Sequence, residues 1–306
     1  MTDLAPDASP DPAEHRVRLD DCELTYFERH PELRGQGPTL FFVHATGFHA
    51  RVWDGIIARL PKMHSIALDQ RGHGRSEKKP ITHWRMVGED QAALARALDL
   101  KDIVGVGHSM GAHAMIDAAA LCPDRFRRLI LIDPVVPAPE SYSDGAEPWR
   151  LREGEMHPAA KRRNRFDSVE EMIERLEERS SFPRFDPQIF RDYCEHGLQP
   201  ADDGNGFVLA CPPEIEASVY MSSRTNGAVY ESVRSLEIPV LVLRAQAPSK
   251  ELTGPMAFST SPTWPGLASE FRNGREIHFP DKTHFLPMEI PDEVAELIRG
   301  EVEATD

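Results

Sequence analysis

The segment Ile103-Val-Gly-Val-Gly-His-Ser-Met-Gly-Ala112 constrains the fold of this chain more than any other. An apolar, β-branched run ends in Gly107-His108-Ser109-Met110-Gly111, and a small-residue, helix-favouring stretch from 112 to 121 follows at once. The order is strand, sharp turn, helix, with a serine at the apex. Glycine two positions before and two after the serine removes Cβ atoms that would obstruct such a turn. The hydroxyl then projects from a strand end, and the next backbone N–H lies at a helix N-terminus. Strands that feed directly into helices predict a parallel sheet with right-handed crossovers.

The same unit recurs along the chain. Residues 15–20 and 23–27 read as two short strands joined by a turn at Asp20-Asp21. Thr39-Leu-Phe-Phe-Val43 is apolar without a break, as a strand buried on both faces should be. Strands are also expected at 64–68, 103–106 and 128–132, with a helix from about 89 to 98 and the sixth strand ending at Asp133-Pro134. From 137 to 236 no buried-strand run occurs. There Ser168-Val-Glu-Glu171 forms a capping box, with Val169, Met172, Ile173 and Leu176 on one helix face. Further helices are predicted near 187–196 and 213–222. The basic run Lys161-Arg-Arg-Asn-Arg165 is expected on solvated surface or paired with the Glu-rich helix after it, with an acidic substrate as the alternative. The strand rhythm resumes at Ile238-Pro-Val-Leu-Val-Leu243, and a short strand at 276–279 precedes Pro280-Asp-Lys-Thr-His284 and a closing helix from about 291 to 302. The expected organisation is a disordered tail over 1–14, a core over 15–136 and 237–302, and a helical cap over 137–236. The core is then a doubly wound α/β sheet interrupted after its sixth strand. Such sheets bind ligands beyond the carboxyl ends of their strands, where the cap would supply most of the substrate-contacting surface.

Composition narrows the partners. The 306 residues carry 50 Asp and Glu against 35 Lys and Arg, a net charge of −15, which argues against nucleic acid or an anionic membrane as partner. No apolar run approaches the ~20 residues of a membrane span. The Asp/Pro/Ala-rich start lacks a basic-then-apolar signal pattern. Cys22, Cys122, Cys194 and Cys211 are scattered without metal-ligand spacing, so free thiols in a reducing cytoplasm are expected. Gly105, Gly107 and Gly111 miss the dinucleotide spacing, and no acidic ribose ligand follows. No cofactor or metal is therefore expected. The expected partner is a small-molecule substrate, with the oligomeric state left open.

Five features stand in series: His44-Ala-Thr-Gly47, Asp69-Gln-Arg-Gly-His-Gly-Arg-Ser76, the Ser109 turn, Leu131-Ile-Asp133, and His284 ahead of a C-terminal helix. In that order they resemble the α/β-hydrolase superfamily over roughly residues 17–298, in particular its serine-nucleophile, cap-bearing esterases and lactonases. The resemblance implies Ser109 as nucleophile, His284 as base, and the backbone N–H groups of Thr46 and Met110 as oxyanion donors. Ala45 stands where the family usually has glycine, a methyl group that would narrow the pocket or shift the turn. The loop with Asp69, Arg71, Gly72 and Gly74 resembles a structural signature of the fold. His44 is expected to serve the strand end.

A serine hydroxyl needs a base near neutral pH, and the base needs a carboxylate to orient it. The family's usual acid lies a few residues past the seventh strand, but there Ala247 and Pro248 fill the slots and Glu251 comes several residues late. The end of the sixth strand offers Asp133, 24 residues after Ser109. Some haloalkane dehalogenases and the zearalenone-type lactone hydrolases look similar at that position. Asp133 is the expected acid, Glu251 the alternative and Asp281 a weaker one. Phe48, His108 and Trp149 are expected against the substrate. Trp53, Trp84 and Met110 are further candidates for the cleft lining, with core packing as their other reading. Asp117 and Glu289 are expected as solvated helix residues.

Serine at the turn disfavours haloalkane dehalogenases and epoxide hydrolases, whose nucleophile is a carboxylate, and the cysteine-based dienelactone hydrolases. The expected function is hydrolysis of a carboxylic ester or lactone of a small organic substrate through an acyl-enzyme. A C–C bond hydrolase of the diketone-cleaving type is one alternative. Another, from a different class, is a ligand-binding member of the fold without turnover, motivated by Ala45 and the vacant acid slot.

Overall fold

Alternation within the unbroken apolar runs sorts the core into two layers. A computed structural model describes residues 11–142, 155–248 and 259–304. Its first part contains β1 (Ala13–Arg18), β2 (Glu23–Arg29), β3 (Thr39–Val43), α1 (Asp54–Ile57), β4 (Ser65–Asp69), α2 (Arg85–Ala97), β5 (Ile103–His108), α3 (Met110–Leu121) and β6 (Phe126–Ile132). An insert follows, with β7 (Arg165–Phe166), α4 (Val169–Leu176), α5 (Pro187–His196), β8 (Leu198–Pro200), β9 (Phe207–Leu209), α6 (Pro213–Met221) and α7 (Val229–Ser235). The last part is β10 (Val240–Arg244), α8 (Leu267–Glu270), β11 (Gly274–His278), α9 (Leu286–Glu289) and α10 (Pro291–Glu303).

The main sheet has eight strands in the order β1-β2-β4-β3-β5-β6-β10-β11. Pairings from β4 through β11 are parallel, and only β1 and β2 run antiparallel to their neighbours. Leu40 and Phe42 of β3 share one face with Val104, Val106, Ile130, Ile132, Leu241 and Leu243, packed under α1, α5 and α10. Phe41 and Val43 share the other with Ile103, Leu129, Leu131, Val240 and Val242, packed under α2, α3, α7 and α8. With both faces covered, alternation of polarity vanishes from the strands, which is why they read as continuous apolar runs.

Several expectations need correction. Ala13 and Glu14, assigned to the tail, pair with Glu28 and Phe27 of β2. The insert is not purely helical: β7, β9 and β8 form a three-stranded antiparallel sheet whose strands are too short to leave a periodic signal. Its capping box is half formed, since Ser168 accepts from the Glu171 N–H but Glu171 accepts from Asp167 rather than Ser168. α7, placed inside the expected cap range of 137–236, packs on α3 as part of the core. Asp117 is fully buried, not solvated; it accepts from the Asn226 amide and the Ser232 hydroxyl at 2.6 Å each, and so ties α3 to the end of the insert. The Glu289 side chain is 3% exposed, because Arg184 and the backbone and hydroxyl of Thr283 surround it. Among the described residues no helix is long and apolar enough to cross a membrane.

The loop after β4 is held by buried polar groups. Asp69, wholly buried, accepts from the Ala50 and Arg75 N–H groups at 2.7 Å each. His73 in the same loop donates from Nδ1 to the Arg71 carbonyl at 2.9 Å, and burial pulls its imidazole down to about 4. The fold therefore holds His73 neutral, whereas the unfolded chain protonates it near pH 6.5. The stability it lends is complete above that pH and is lost as pH falls toward 4. Thermal unfolding should show a lower Tm at pH 5 than at pH 8, with His73 contributing on the order of 2 kcal/mol of the difference. His73→Gln should flatten that dependence; an unchanged slope would remove His73 as its source.

Candidate active site

The serine turn is built by close backbone approach. β5 delivers Ser109 at φ 58, ψ −119, a conformation that costs a non-glycine residue on the order of 1–3 kcal/mol. It is held there by its N–H, which donates to the Ile132 carbonyl at 3.0 Å, and by its carbonyl, which accepts from His113 at 3.1 Å as α3 begins. A Cβ on Gly111 would lie 2.5 Å from the His44 carbonyl oxygen, and one on Gly107 would lie 2.6 Å from the Ala112 Cα. Both glycines are thus required by space. His44 serves the strand end as expected: it is fully buried, and its Nε2 accepts from the Gln70 N–H at 3.1 Å.

Three strand ends converge on this turn. His284, in the loop between β11 and α9, accepts from the Ser109 hydroxyl at its Nε2, 2.8 Å away. Its Nδ1 donates to Oδ2 of Asp133 at 2.6 Å. A carboxylate can only accept here, so the proton sits on Nδ1 and Nε2 is left as the acceptor. Asp133 is fully buried just past β6. Its Oδ1 accepts from the Ala245 N–H at 2.9 Å, the Ser261 hydroxyl at 2.5 Å and the Thr263 hydroxyl at 3.3 Å. The end of β10, where the family's usual acid would stand, instead supplies the Ala245 N–H that holds Asp133. Ser261 and Thr263 carried no signal in the sequence, since hydroxyl residues in a loop are too common to single out. Glu251 lies outside the described residues, and Asp281 pairs with Lys282 at 2.9 Å.

Thr46 lines the cavity in front of Ser109, and Met110 is the first residue of α3. Neither backbone N–H has an acceptor among the described residues. The Met110 side chain is not cleft lining but packs fully buried with Ile81, Trp84 and Val87. Trp53 is likewise core, against Phe42. His108, expected against the substrate, is absent from the cavity wall. It is buried behind His284, its ring 5.0 Å from the His284 ring, and donates from Nε2 to the His284 carbonyl at 2.8 Å. Burial above all holds His108 well below its usual range, so it stays neutral. Trp149 lies outside the described residues.

The cavity encloses about 680 Å³ between sheet and insert. Phe48 and Trp84 line it as expected, with Leu176, Phe182, Phe185 and Phe285. The insert also contributes Arg162, Tyr193, Glu216 and Tyr220. Burial pushes the Glu216 carboxyl up, with Arg162 opposing. Of these, only Arg162 had a sequence signal, the basic run. Glu216 is an acidic residue beside the buried Ile215 on a short helix, a placement that tertiary contact alone decides. Among the described residues no cluster of His, Cys, Asp and Glu could hold a metal.

Gly111→Ala tests the turn. The new methyl would meet two backbone carbonyls, of His44 and Val43, neither of which can yield without moving β3. A destabilisation of about 3 kcal/mol or more is expected by chemical denaturation, in the range of severe overpacking. A change below about 0.5 kcal/mol would show that the strand end relaxes freely.

Comparison with known proteins bears on the family and the fold. The 2-(acetamidomethylene)succinate hydrolase of Mesorhizobium japonicum is 29% identical over 269 residues, spanning 87% of this chain and 89% of its own. An esterase of Mycobacterium tuberculosis is 24% identical over 87% of this chain and 83% of its own. Among solved structures, E-2-(acetamidomethylene)succinate hydrolase superposes with a TM-score of 0.70 at 23% identity, covering 96% of this chain and all of that one. The peroxisomal alpha-beta-hydrolase Lpx1 of Saccharomyces cerevisiae superposes with a TM-score of 0.71 at 19% identity, over 96% and 85% of the two chains. These structural likenesses show the fold. A family model matches residues 40–297, and the chain belongs to the alpha/beta hydrolase family.

Proposed function

We propose that this hydrolase cleaves a carboxylic ester or lactone of a small organic substrate through an acyl-enzyme on Ser109. The observation that carries the reading is the hydrogen-bonded line from Ser109 Oγ through His284 to Asp133, set at the wall of a mostly apolar cavity. In this reading Ser109 Oγ bonds to the substrate carbonyl carbon while His284 Nε2 takes its proton. The oxyanion then rests on the Thr46 and Met110 N–H groups, each such donor being worth about 3 kcal/mol. The intermediate collapses, the C–O bond breaks, and His284 returns the proton to the departing alcohol. Water, deprotonated by His284, releases the acid by the same route. Asp133 keeps His284 in the needed tautomer and stabilises the imidazolium. Four buried, unpaired cysteines support a reducing compartment such as the cytoplasm.

A fluorophosphonate probe should label Ser109 covalently, and Ser109→Ala should abolish both labelling and ester turnover. Asp133→Asn should lower kcat by about 10⁴-fold, through the wrong tautomer. Ester turnover surviving in Ser109→Ala would refute the reading.

A second reading, hydrolysis of a bond other than an ester, is favoured by the Mesorhizobium relative, a hydrolase of 2-(acetamidomethylene)succinate that aligns over nearly its full length. That compound and a vinylogous diketone, assayed beside simple esters, separate the two. Faster turnover of either by at least about tenfold would favour the second reading.

A further inference from the structure

The basic run at 161–165 divides in space. Arg163 meets Glu171 and Arg165 meets Asp203, both at 2.5 Å on the surface. Arg162 turns instead into the cavity, where Nη1 donates to Glu216 Oε2 and Nη2 to the Tyr193 hydroxyl at 3.4 Å. The Tyr220 hydroxyl donates to Glu216 Oε1 at 3.5 Å. The Glu216 side chain is only 4% exposed.

An ion pair in such a place is a poor stabiliser, because desolvating two charges offsets most of their attraction; apolar residues would hold the insert as well or better. Its neighbours Ile215 and Val219 already pack α6. A few polar groups in an otherwise apolar wall are what orients a ligand. The pair also adjoins the oxyanion loop: a Cβ on Gly47, next to Thr46, would lie 3.1 Å from Glu216 Oε1 and 3.5 Å from Arg162 Nη1.

We propose that Arg162, Glu216 and Tyr193 form a subsite for an uncharged secondary amide on the acyl side of the substrate, an inference that rests on Ser109 being the nucleophile. The subsite is assigned to the acyl side because the pair adjoins Gly47, next to the Thr46 N–H assigned to the oxyanion, and shares the cavity wall with Ser109. There the charges of Arg162 and Glu216 cancel. A carboxylate would set a second anion beside Glu216 in a low-dielectric wall. An amide satisfies both partners at once. Its carbonyl accepts from guanidinium N–H groups not engaged by Glu216 and Tyr193, and its N–H donates to Glu216.

Three ethyl esters with one acyl skeleton test this: ethyl N-acetylglycinate, ethyl 4-methylpentanoate and monoethyl succinate, followed by ethanol release. The amide ester should show the highest kcat/KM, by about tenfold or more, because the apolar and anionic analogues leave buried polar groups unpaired or repelled. In the double variant Arg162→Met, Glu216→Leu, which leaves no orphan charge, the preference should collapse to within about twofold, with folding checked by near-UV circular dichroism. Equal constants in the parent protein, a preference for the succinate, or a preference that survives the double substitution would overturn the subsite. Saturation-transfer NMR of the amide ester on Ser109→Ala needs no turnover. Binding there that depends on Arg162 and Glu216 upholds the subsite even if labelling refutes the nucleophile, and absence of such binding overturns it.

Discussion

The hydrogen bond from His284 to Asp133 is the interaction on which the arrangement depends. It joins the loop after β11 to the end of β6, residues 151 positions apart, and points the remaining ring nitrogen at the end of β5. Each partner is fastened independently. Asp133 takes donors from the end of β10 and from the loop carrying Ser261 and Thr263. His284 has its backbone carbonyl held by His108. A short bond between a carboxylate and an imidazole is directional only when neither ring nor carboxyl can swing, and these second contacts remove that freedom.

The insert acts on the same loop from the other side. Arg184 reaches Glu289 and the Asp281 carbonyl, and the Asp186 N–H donates to the Met288 carbonyl, so the segment between α4 and α5 is seated on the residues flanking His284. Phe185 from the insert lies 5.3 Å from Phe285, the neighbour of His284, and both line the cavity. The wall that would contact a substrate and the loop that positions the imidazole are thus one packed unit. Substitutions in the insert can reach the chemistry through packing as well as through binding.

The acid illustrates how far local pattern carries. Chain position already favoured Asp133, at the end of the sixth strand, over Glu251, which comes several residues past the slot filled by Ala247 and Pro248. Among the described residues Asp133 is the carboxylate that meets His284, and the Ala245 N–H and the Ser261 and Thr263 hydroxyls hold it there. His108 went the other way: adjacency to Ser109 suggested the cavity, but the side chain following a strand's alternation points to the opposite face and finds a backbone carbonyl 176 residues away. Asp117 and Glu289 read as solvated because helix periodicity assumes one covered face. α3 is covered all round, and Glu289 is enclosed by Arg184 and Thr283.

What the sequence determined by itself is whatever depends on neighbours along the chain. The parallel strands appear as unbroken apolar runs, Gly107 and Gly111 mark the close approach around Ser109, and the insert shows as a lapse in strand rhythm. What tertiary structure alone decided is which distant groups share a low-dielectric space. Glu216 beside Arg162 and Asp117 beside Asn226 are pairings between residues that carry no mark of each other. Their energies come from burial and direction, and both are set only once the layers close over them.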